Sequence, residues 1–284
     1  GRCAEQVVGI HRPTLTLVYL PHLDYDLQRY GPAFAGLDGA LGEVDRVAGG
    51  IISAARQRDM EVVVLSEYGI TGVSSSVSIN RALRETDLLK VHRAHNGELL
   101  DAGASEAFAV SDHQVAHVYV RREDNRASVK RLLEELPGVE KVLDEEGKRA
   151  HGLNHPRSGD LVAVAEAGRW FDYYYWPEDG EAPDFARTVD IHRKPGFDPL
   201  ELLLDPARAL LKPRLGLKRL AALAGFRTLM DPVPLETGLL GGSHGRLPSS
   251  PAEGPVLISS SGGHAISRLE MTEVSAHLLA TIFD

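Results

Sequence analysis

The segment of residues 14–32 constrains the fold more than any other part of the sequence. Residues 15–20 are apolar or β-branched without a period of two, which is typical of a strand buried on both faces of an α/β sheet. Pro21 ends this predicted strand, and four polar side chains follow it: His22, Asp24, Asp26 and Gln28. Because open α/β sheets bind ligands at the carboxyl ends of their strands, we predict a loop here that carries a functional site.

A helix and a second strand are predicted next. Residues 37–58 repeat apolar side chains at steps of three and four, which indicates a helix, and residues 61–65 are typical of a short buried strand. Together with residues 15–20 they would form a strand-helix-strand unit with a right-handed crossover. This unit would bring a second polar loop, which contains Glu67 and Tyr68, beside the first.

The composition excludes several classes of function. The net charge of −9 argues against the basic face that nucleic-acid binding needs. The sequence has no run of 18 apolar residues, so we expect no transmembrane helix and no membrane partner. A single cysteine, Cys3, excludes an intrachain disulfide and a cysteine-based metal cluster. We expect a cytoplasmic protein.

The run Tyr19-Leu-Pro-His-Leu-Asp24-Tyr-Asp-Leu-Gln28-Arg-Tyr30-Gly31-Pro32 resembles a segment of the nucleotide pyrophosphatases/phosphodiesterases, in the alkaline phosphatase superfamily. In that family an aspartate and a histidine four residues later bind one of two zinc ions. Asp24 falls on the aspartate and Gln28 on the histidine. Zinc prefers His, Cys or carboxylate ligands, so a neutral amide at this position weakens a zinc site.

Two later segments extend the resemblance in the same order. Residues 66–70 fall on the family's Ser-Asp-His-Gly-Met signature, with Glu67 at the aspartate and Tyr68 at the histidine. In the glycine-rich run 241–248, His244 falls on the histidine of a Gly-x-His-Gly segment, and its flanking glycines allow the backbone to approach closely. The resemblance implies a metal site that contains three of these residues, Asp24, Glu67 and His244, with Gln28 and Tyr68 in it or next to it.

The resemblance also implies the architecture. The expected fold is α/β, a three-layer sandwich around a mostly parallel sheet, as in alkaline phosphatase, with an inserted α+β cap. Residues 1–70 and 155–284 would form the core, and residues 71–154 the cap. Within the core, residues 160–165 and 170–176 are predicted strands of the main sheet. The Thr or Ser nucleophile of the family precedes the first matching segment, so we expect a chain that begins inside a domain and lacks that nucleophile.

Other polar side chains have more than one interpretation. Asp112 and His113 are adjacent and could take part in acid-base or metal chemistry, or form hydrogen bonds inside the cap. The predicted cap contains a turn at residues 96–97 and a hairpin-like pair of strands around residues 107–110 and 115–121. In a strand, His113 and His117 would lie on the same face. His192 and Arg193 precede a helix-like segment and could contact phosphate.

These observations predict a metal-dependent hydrolase of phosphoester or phosphodiester/pyrophosphate bonds that acts on a small phosphorylated substrate. The cofactor would be a divalent metal, Mn, Mg or Zn. Loss of two histidines leaves mostly oxygen ligands, which suit Mn²⁺ or Mg²⁺ better than Zn²⁺. The alternative is a non-hydrolytic relative that serves as a ligand- or partner-binding module. The replacements at Gln28 and Tyr68 favour this alternative, whereas Asp24 and His244 favour the enzyme.

Overall fold

The computed structural model describes residues 1–95, 97–260 and 268–283. Within these residues the helices are α1 Arg2–His11, α2 His22–Tyr30, α3 Leu37–Arg56, α4 Ile79–Glu85, α5 Arg126–Glu134, α6 Glu145–Ala150, α7 Leu211–Leu223 and α8 Val274–Phe283. The strands are β1 Val63–Leu65, β2 Thr71–Gly72, β3 Ser75–Val77, β4 Val91–Ala94, β5 Gly97–Leu100, β6 Ala107–Asp112, β7 Val115–Val120, β8 Val139–Leu143, β9 Leu161–Ala165, β10 Arg169–Phe171, β11 Gly242–Ser243 and β12 Leu257–Ser259. None of the helices among these residues is both long and apolar enough to cross a membrane.

The chain divides into two compact units. The first unit comprises Gly1–Leu27, Ala33–Ile70 and Pro248–Asp284, and the second comprises Gln28–Pro32 and Thr71–Leu247. This division is not the one predicted from the sequence. The assignment of residues 1–70 and 155–284 to a core and of residues 71–154 to a cap stays a prediction.

The first unit contains the predicted long helix but not the predicted parallel unit. Helix α3 confirms the apolar repeat of residues 37–58. Residues 15–20 form no strand, and Leu17 and Tyr19 are 80% and 69% exposed. The strand β1 pairs antiparallel with β12, with Val64 opposite Ile258. The predicted crossover is therefore wrong, because an apolar segment becomes a strand only where a partner backbone accepts its hydrogen bonds.

The polar segment after Pro21 is a helix and not the predicted loop. Helix α2 begins at His22 and ends at Tyr30. Leu23 and Leu27 lie one turn apart in it, as in an amphipathic helix. Asp24 in the first turn and Arg29 in the last turn both suit the helix dipole. These local preferences favour a helix, and the prediction of a loop from the cluster of polar side chains is wrong.

The second unit is organised around a four-stranded antiparallel sheet in the order β6-β7-β9-β8. Strand β9 thus belongs to the sheet of the predicted hairpin and not to a separate main sheet, which corrects the sequence-based prediction. The predicted strand of residues 170–176 ends at Phe171, where β10 pairs parallel with β3. The aromatic residues after it continue without strand pairing, and both Trp170 and Trp176 are buried in the core.

The fold class is α/β, as predicted, but the sheets are small. Among the described residues, the only parallel strand pair is β3 with β10, and the other pairs are antiparallel. The mostly parallel three-layer sandwich is therefore not confirmed. The predicted turn at residues 96–97 includes a position outside the described residues.

A buried charged cluster stabilises the second unit. The ammonium of Lys194 donates hydrogen bonds to Asp198 at 2.7 Å and to the carbonyl of Thr188 at 2.9 Å. It also lies 2.6 Å from the carboxylate of Glu201. These three acceptors compensate for removing the charge of Lys194 from water. The same ammonium lies 5.7 Å from the ring centroid of Tyr173.

Candidate functional site

In the first unit the two predicted polar segments meet. The hydroxyl of Tyr68 donates a hydrogen bond to Asp24 Oδ1 at 3.1 Å. Burial, and then the charge of Asp24 and this hydrogen bond, raise the pKa of Tyr68 well above its ordinary value. The phenol therefore keeps its proton near neutral pH and acts as a donor to the carboxylate. The charge of Glu67 contributes to the same rise, so its carboxylate shares this neighbourhood.

The position of Tyr68 depends on a close backbone contact beside it. A Cβ on Gly69 would lie 1.8 Å from the carbonyl oxygen of Glu253, so only glycine fits at this position. Ser66 also contacts this later segment of the chain, since its backbone N–H donates to Val256 O at 3.0 Å. The segment after β1 is thus held against residues 253–256, and this contact fixes where Glu67 and Tyr68 leave the backbone.

In the second unit the end of α2 contacts the glycine-rich run. The backbone N–H of Gly241 donates to the carbonyl of Gln28 at 3.0 Å. Gly31 has a φ of 80°, and a Cβ there would lie 2.8 Å from Gly241 O, so this turn requires glycine. The Gln28 side chain is 2% exposed, and its Oε1 has no hydrogen-bond partner among the described residues. A buried acceptor without a donor fits a position next to a cation or to a donor group of a ligand.

His244 follows β11, which pairs with β2. Its ring lies against the ring of His113 at a tilt of 35°, with the centroids 3.9 Å apart. The prediction that His113 and His117 share one face of a strand is wrong for His113. It lies in the turn between β6 and β7, with a φ of 57°. Burial, and then the charge of His244, lower the pKa of His113 to about 3, so its imidazole is neutral. His117, by contrast, lies in β7 and accepts a hydrogen bond from Gly159 N at Nδ1, 3.1 Å away.

The side chain of Arg193, a predicted phosphate contact, already has acidic partners. Arg193 Nε donates to Asp190 Oδ2 at 2.5 Å, and its guanidinium lies 3.6 Å from Asp184. It also lies over the ring of Phe185, 5.3 Å from the centroid. The neighbouring His192 is exposed, and its backbone N–H donates to Asp190.

The predicted site residues are divided between the two units. Asp24, Glu67 and Tyr68 lie in the first unit, whereas Gln28 and His244 lie in the second. In residues 1–95, 97–260 and 268–283, no group of three or more His, Cys, Asp or Glu side chains could hold a metal ion. The convergence of Asp24, Glu67 and His244 on one metal site stays a prediction.

Sequence reasoning missed one contact at the candidate site. Ser243 Oγ lies 3.3 Å from His113 Nδ1, and both side chains are buried. The two residues are far apart in the sequence, so no local pattern reveals the pair. The available signal was the two-residue gap, His113-Gln114, between two alternating strands, which is typical of a tight hairpin turn rather than of continuous strand.

Comparison with known proteins identifies the family. A family model described as type I phosphodiesterase / nucleotide pyrophosphatase matches residues 3–198. The search of curated proteins finds no match. Similar solved structures include murine ectonucleotide pyrophosphatase/phosphodiesterase 5, at 20% identity over 52% of this chain and 36% of that chain, with a TM-score of 0.38. Phosphonoacetate hydrolase from Sinorhizobium meliloti 1021 is 21% identical over 59% of this chain and 40% of that chain, with a TM-score of 0.41.

The chain therefore spans less than half the length of these two solved structures. The family match, however, covers well over half of this chain and includes the segments of Asp24 and Glu67. The resemblance inferred from the three motifs is confirmed: this chain belongs to the type I phosphodiesterase / nucleotide pyrophosphatase family, a family of phosphoric ester hydrolases.

Proposed function

We propose that the protein is a metal-assisted hydrolase of phosphoester or phosphodiester/pyrophosphate bonds in small phosphorylated molecules. The hydrogen bond between Tyr68 and Asp24 is the observation that carries the proposal. It joins two segments, far apart in the sequence, that carry metal ligands in the family. The family match over residues 3–198 supports the reaction class.

The residue types at these positions suit a hard divalent ion better than zinc. No donor from the part of the chain that the structure describes reaches the buried Gln28 Oε1, and an amide oxygen can only accept or coordinate. Tyr68 does not fit as a ligand, because it is protonated and donates to Asp24. We propose Asp24, Glu67 and His244 as metal ligands, with Gln28 in the site or next to it and Tyr68 next to it. This set is rich in oxygen, which Mn²⁺ and Mg²⁺ prefer.

Each proposed residue then has a defined task. A bound divalent ion would supply positive charge for the phosphoryl oxygens. Tyr68 orients the Asp24 carboxylate through its hydrogen bond, and it occupies one of the two carboxylate oxygens. His192 and Arg193 stay proposed phosphate contacts, although a phosphate would have to compete with Asp190 for the guanidinium.

The test combines metal analysis with hydrolysis of bis(p-nitrophenyl) phosphate by the full-length protein, with Mn²⁺, Mg²⁺ or Zn²⁺ added after dialysis. We expect Asp24→Asn and His244→Ala to lower metal content and to reduce kcat/KM at least about 100-fold. Asp26→Asn is the matched control, since it makes the same change two residues further along α2, and it should leave both within about threefold.

Two results would contradict the proposal. Wild-type-like metal content and hydrolysis in both variants would exclude these residues as ligands. If the wild-type protein binds no divalent metal and hydrolyses no phosphodiester, the binding-module alternative replaces the enzyme.

A further inference from the structure

His113 has a backbone conformation that is uncommon among residues other than glycine. It is the first of two residues between β6 and β7, and its φ of 57° lies in the left-handed region. Gly, Asn and Asp are the residues that such turn positions favour. The His113 side chain is nevertheless 3% exposed, so it points into the interior rather than to solvent. A buried residue in a sparsely populated conformation is held there by its surroundings, and such residues cluster at functional sites.

The surroundings of the His113 ring are the residues of the candidate site. The ring lies against the His244 ring with the centroids 3.9 Å apart and an interplanar angle of 35°. Phe197 contacts it with the centroids 4.9 Å apart. Ser243 Oγ lies 3.3 Å from Nδ1, within reach of a hydrogen bond that fixes the rotation of the ring. His113 is therefore packed between Phe197 and the run that presents His244.

The backbone of the same turn is tied to this run and to the sheet. The N–H of Gln114 donates to the carbonyl of His244 at 2.9 Å. The carbonyl of His113 accepts from Phe171 N at 2.7 Å, and the carbonyl of Gln114 accepts from Ala165 N at 2.9 Å. The turn thus holds both the main chain and the ring of His244, and it is itself fixed by two further strands.

We propose that His113 is a positioning residue that holds the imidazole of His244 in one orientation for the reaction. A ligand imidazole must direct one nitrogen at a fixed point, and neighbours that restrict its rotation improve binding. The adjacent ring of His113 provides this restriction. The inference rests on the proposed function for the role of His244, but the packing itself can be measured without metal or substrate.

The experiment uses His113→Asn in the full-length protein. Asparagine tolerates a positive φ, so the turn is kept while the ring is removed. The first measurement is the His244 imidazole signal in metal-free ¹H–¹⁵N and ¹H–¹³C spectra. In the wild type we expect an upfield ring-current shift from the ring of His113, and this shift should be lost in the variant. The second measurement is Mn²⁺ affinity by calorimetry, which should fall about 10- to 100-fold.

Three further variants separate ring packing from general damage. His117→Asn makes the same substitution in β7, where the ring contacts Gly159, and it should leave the His244 signal and the Mn²⁺ affinity unchanged. His113→Phe restores an aromatic ring and should recover most of both. Ser243→Ala removes only the hydroxyl beside His113 Nδ1, and it should weaken Mn²⁺ affinity several-fold. If His113→Asn does not fold, the Mn²⁺ affinity of Ser243→Ala tests the inference instead, and an unchanged affinity overturns it.

The outcomes distinguish this inference from the proposed function. A wild type that binds no divalent metal would overturn the proposed function, while the His244 spectrum would still test the packing. The inference is overturned if the His244 signal in folded His113→Asn equals that of the wild type. It is also overturned if His113→Phe is as damaging as His113→Asn, because the adjacent ring would then have no effect.

Discussion

Replacing Lys194 by methionine should strongly destabilise the second unit. The Lys194 side chain is 0% exposed, and its ammonium lies within 2.7 Å of both the Asp198 and Glu201 carboxylates. Methionine has a similar length and no charge, so Lys194→Met leaves two carboxylates together in the interior. Removing one partner of a buried ion pair costs about 3–5 kcal/mol, because the remaining charge is no longer compensated.

Protonation sets an upper limit to this cost and makes it depend on pH. Taking up a proton costs a carboxyl of ordinary pKa about 1.4 kcal/mol per pH unit, or about 4 kcal/mol near pH 7 and about 1.5 kcal/mol near pH 5. Burial already raises the pKa of Asp198 to about 6 in the presence of Lys194. A pKa raised above the unfolded value favours the folded state at low pH, and this advantage is lost as the pH rises. The wild type itself gains about 1.4 kcal/mol over this range from Asp198, so the destabilisation should shrink by about 1–1.5 kcal/mol from pH 7 to pH 5.

Urea unfolding followed by tryptophan fluorescence would measure the effect. Both tryptophans, Trp170 and Trp176, are buried in the core of the second unit, so the signal reports on the unit that contains Lys194. Lys130→Met is the matched control, since Lys130 pairs with Asp144 at the surface and should lose less than about 1 kcal/mol. Equal losses in the two variants, or a loss for Lys194→Met that does not change with pH, would refute the reasoning.

Three further predictions concern substitutions at other positions. Gly196→Ala should lower the free energy of unfolding by more than about 2 kcal/mol, since φ is 120° and the new Cβ would meet a backbone oxygen at 2.1 Å. The control Gly216→Ala, in open space on α7, should raise it by up to about 1 kcal/mol in the same denaturation assay. Asp144 caps α6, so Asp144→Ala should cost about 1 kcal/mol. The hydrogen bond from Lys130 and those from backbone N–H groups lower the pKa of Asp144 to about 2. In acid titrations the contribution of Asp144 to stability should therefore be present above about pH 4 and lost as the pH falls toward 2. A pH-independent difference in stability between Asp144→Ala and the wild type would contradict this. Gln28→His with Tyr68→His should shift the metal preference from Mn²⁺ toward Zn²⁺ in hydrolysis assays, and an unchanged preference would exclude these two positions from the site.

Local sequence patterns were sufficient for several elements. The apolar repeat of residues 37–58 predicted α3, because an amphipathic helix is encoded by side-chain spacing along one segment. The alternating residues on either side of His113-Gln114 predicted strands at β6 and β7 for the same reason. The three motifs predicted the family, which the match over residues 3–198 confirms.

Local patterns also misled where two of them competed. Residues 22–30 combine a helical spacing of Leu23 and Leu27 with a cluster of polar side chains after Pro21. The prediction of a loop gave weight to the polar cluster, but a helix presents Asp24 at a fixed position equally well. Helical spacing was the stronger physical signal, since each added turn satisfies its own backbone hydrogen bonds.

Pairing between distant segments was decided only by the tertiary structure. The apolar run of residues 15–20 has the composition of a strand, but composition does not specify a partner, and the run stays unpaired among the described residues. Strand β9 joins β7 and β8 rather than a parallel sheet, because the register of backbone hydrogen bonds is set by contacts across the fold. The contact of His113 with Ser243 and His244 likewise joins residues that no local spacing relates. The sequence by itself determined α3, β6, β7 and the chemistry of the motifs. The tertiary structure decided which apolar segments pair as strands and which side chains His244 contacts, since these depend on long-range packing.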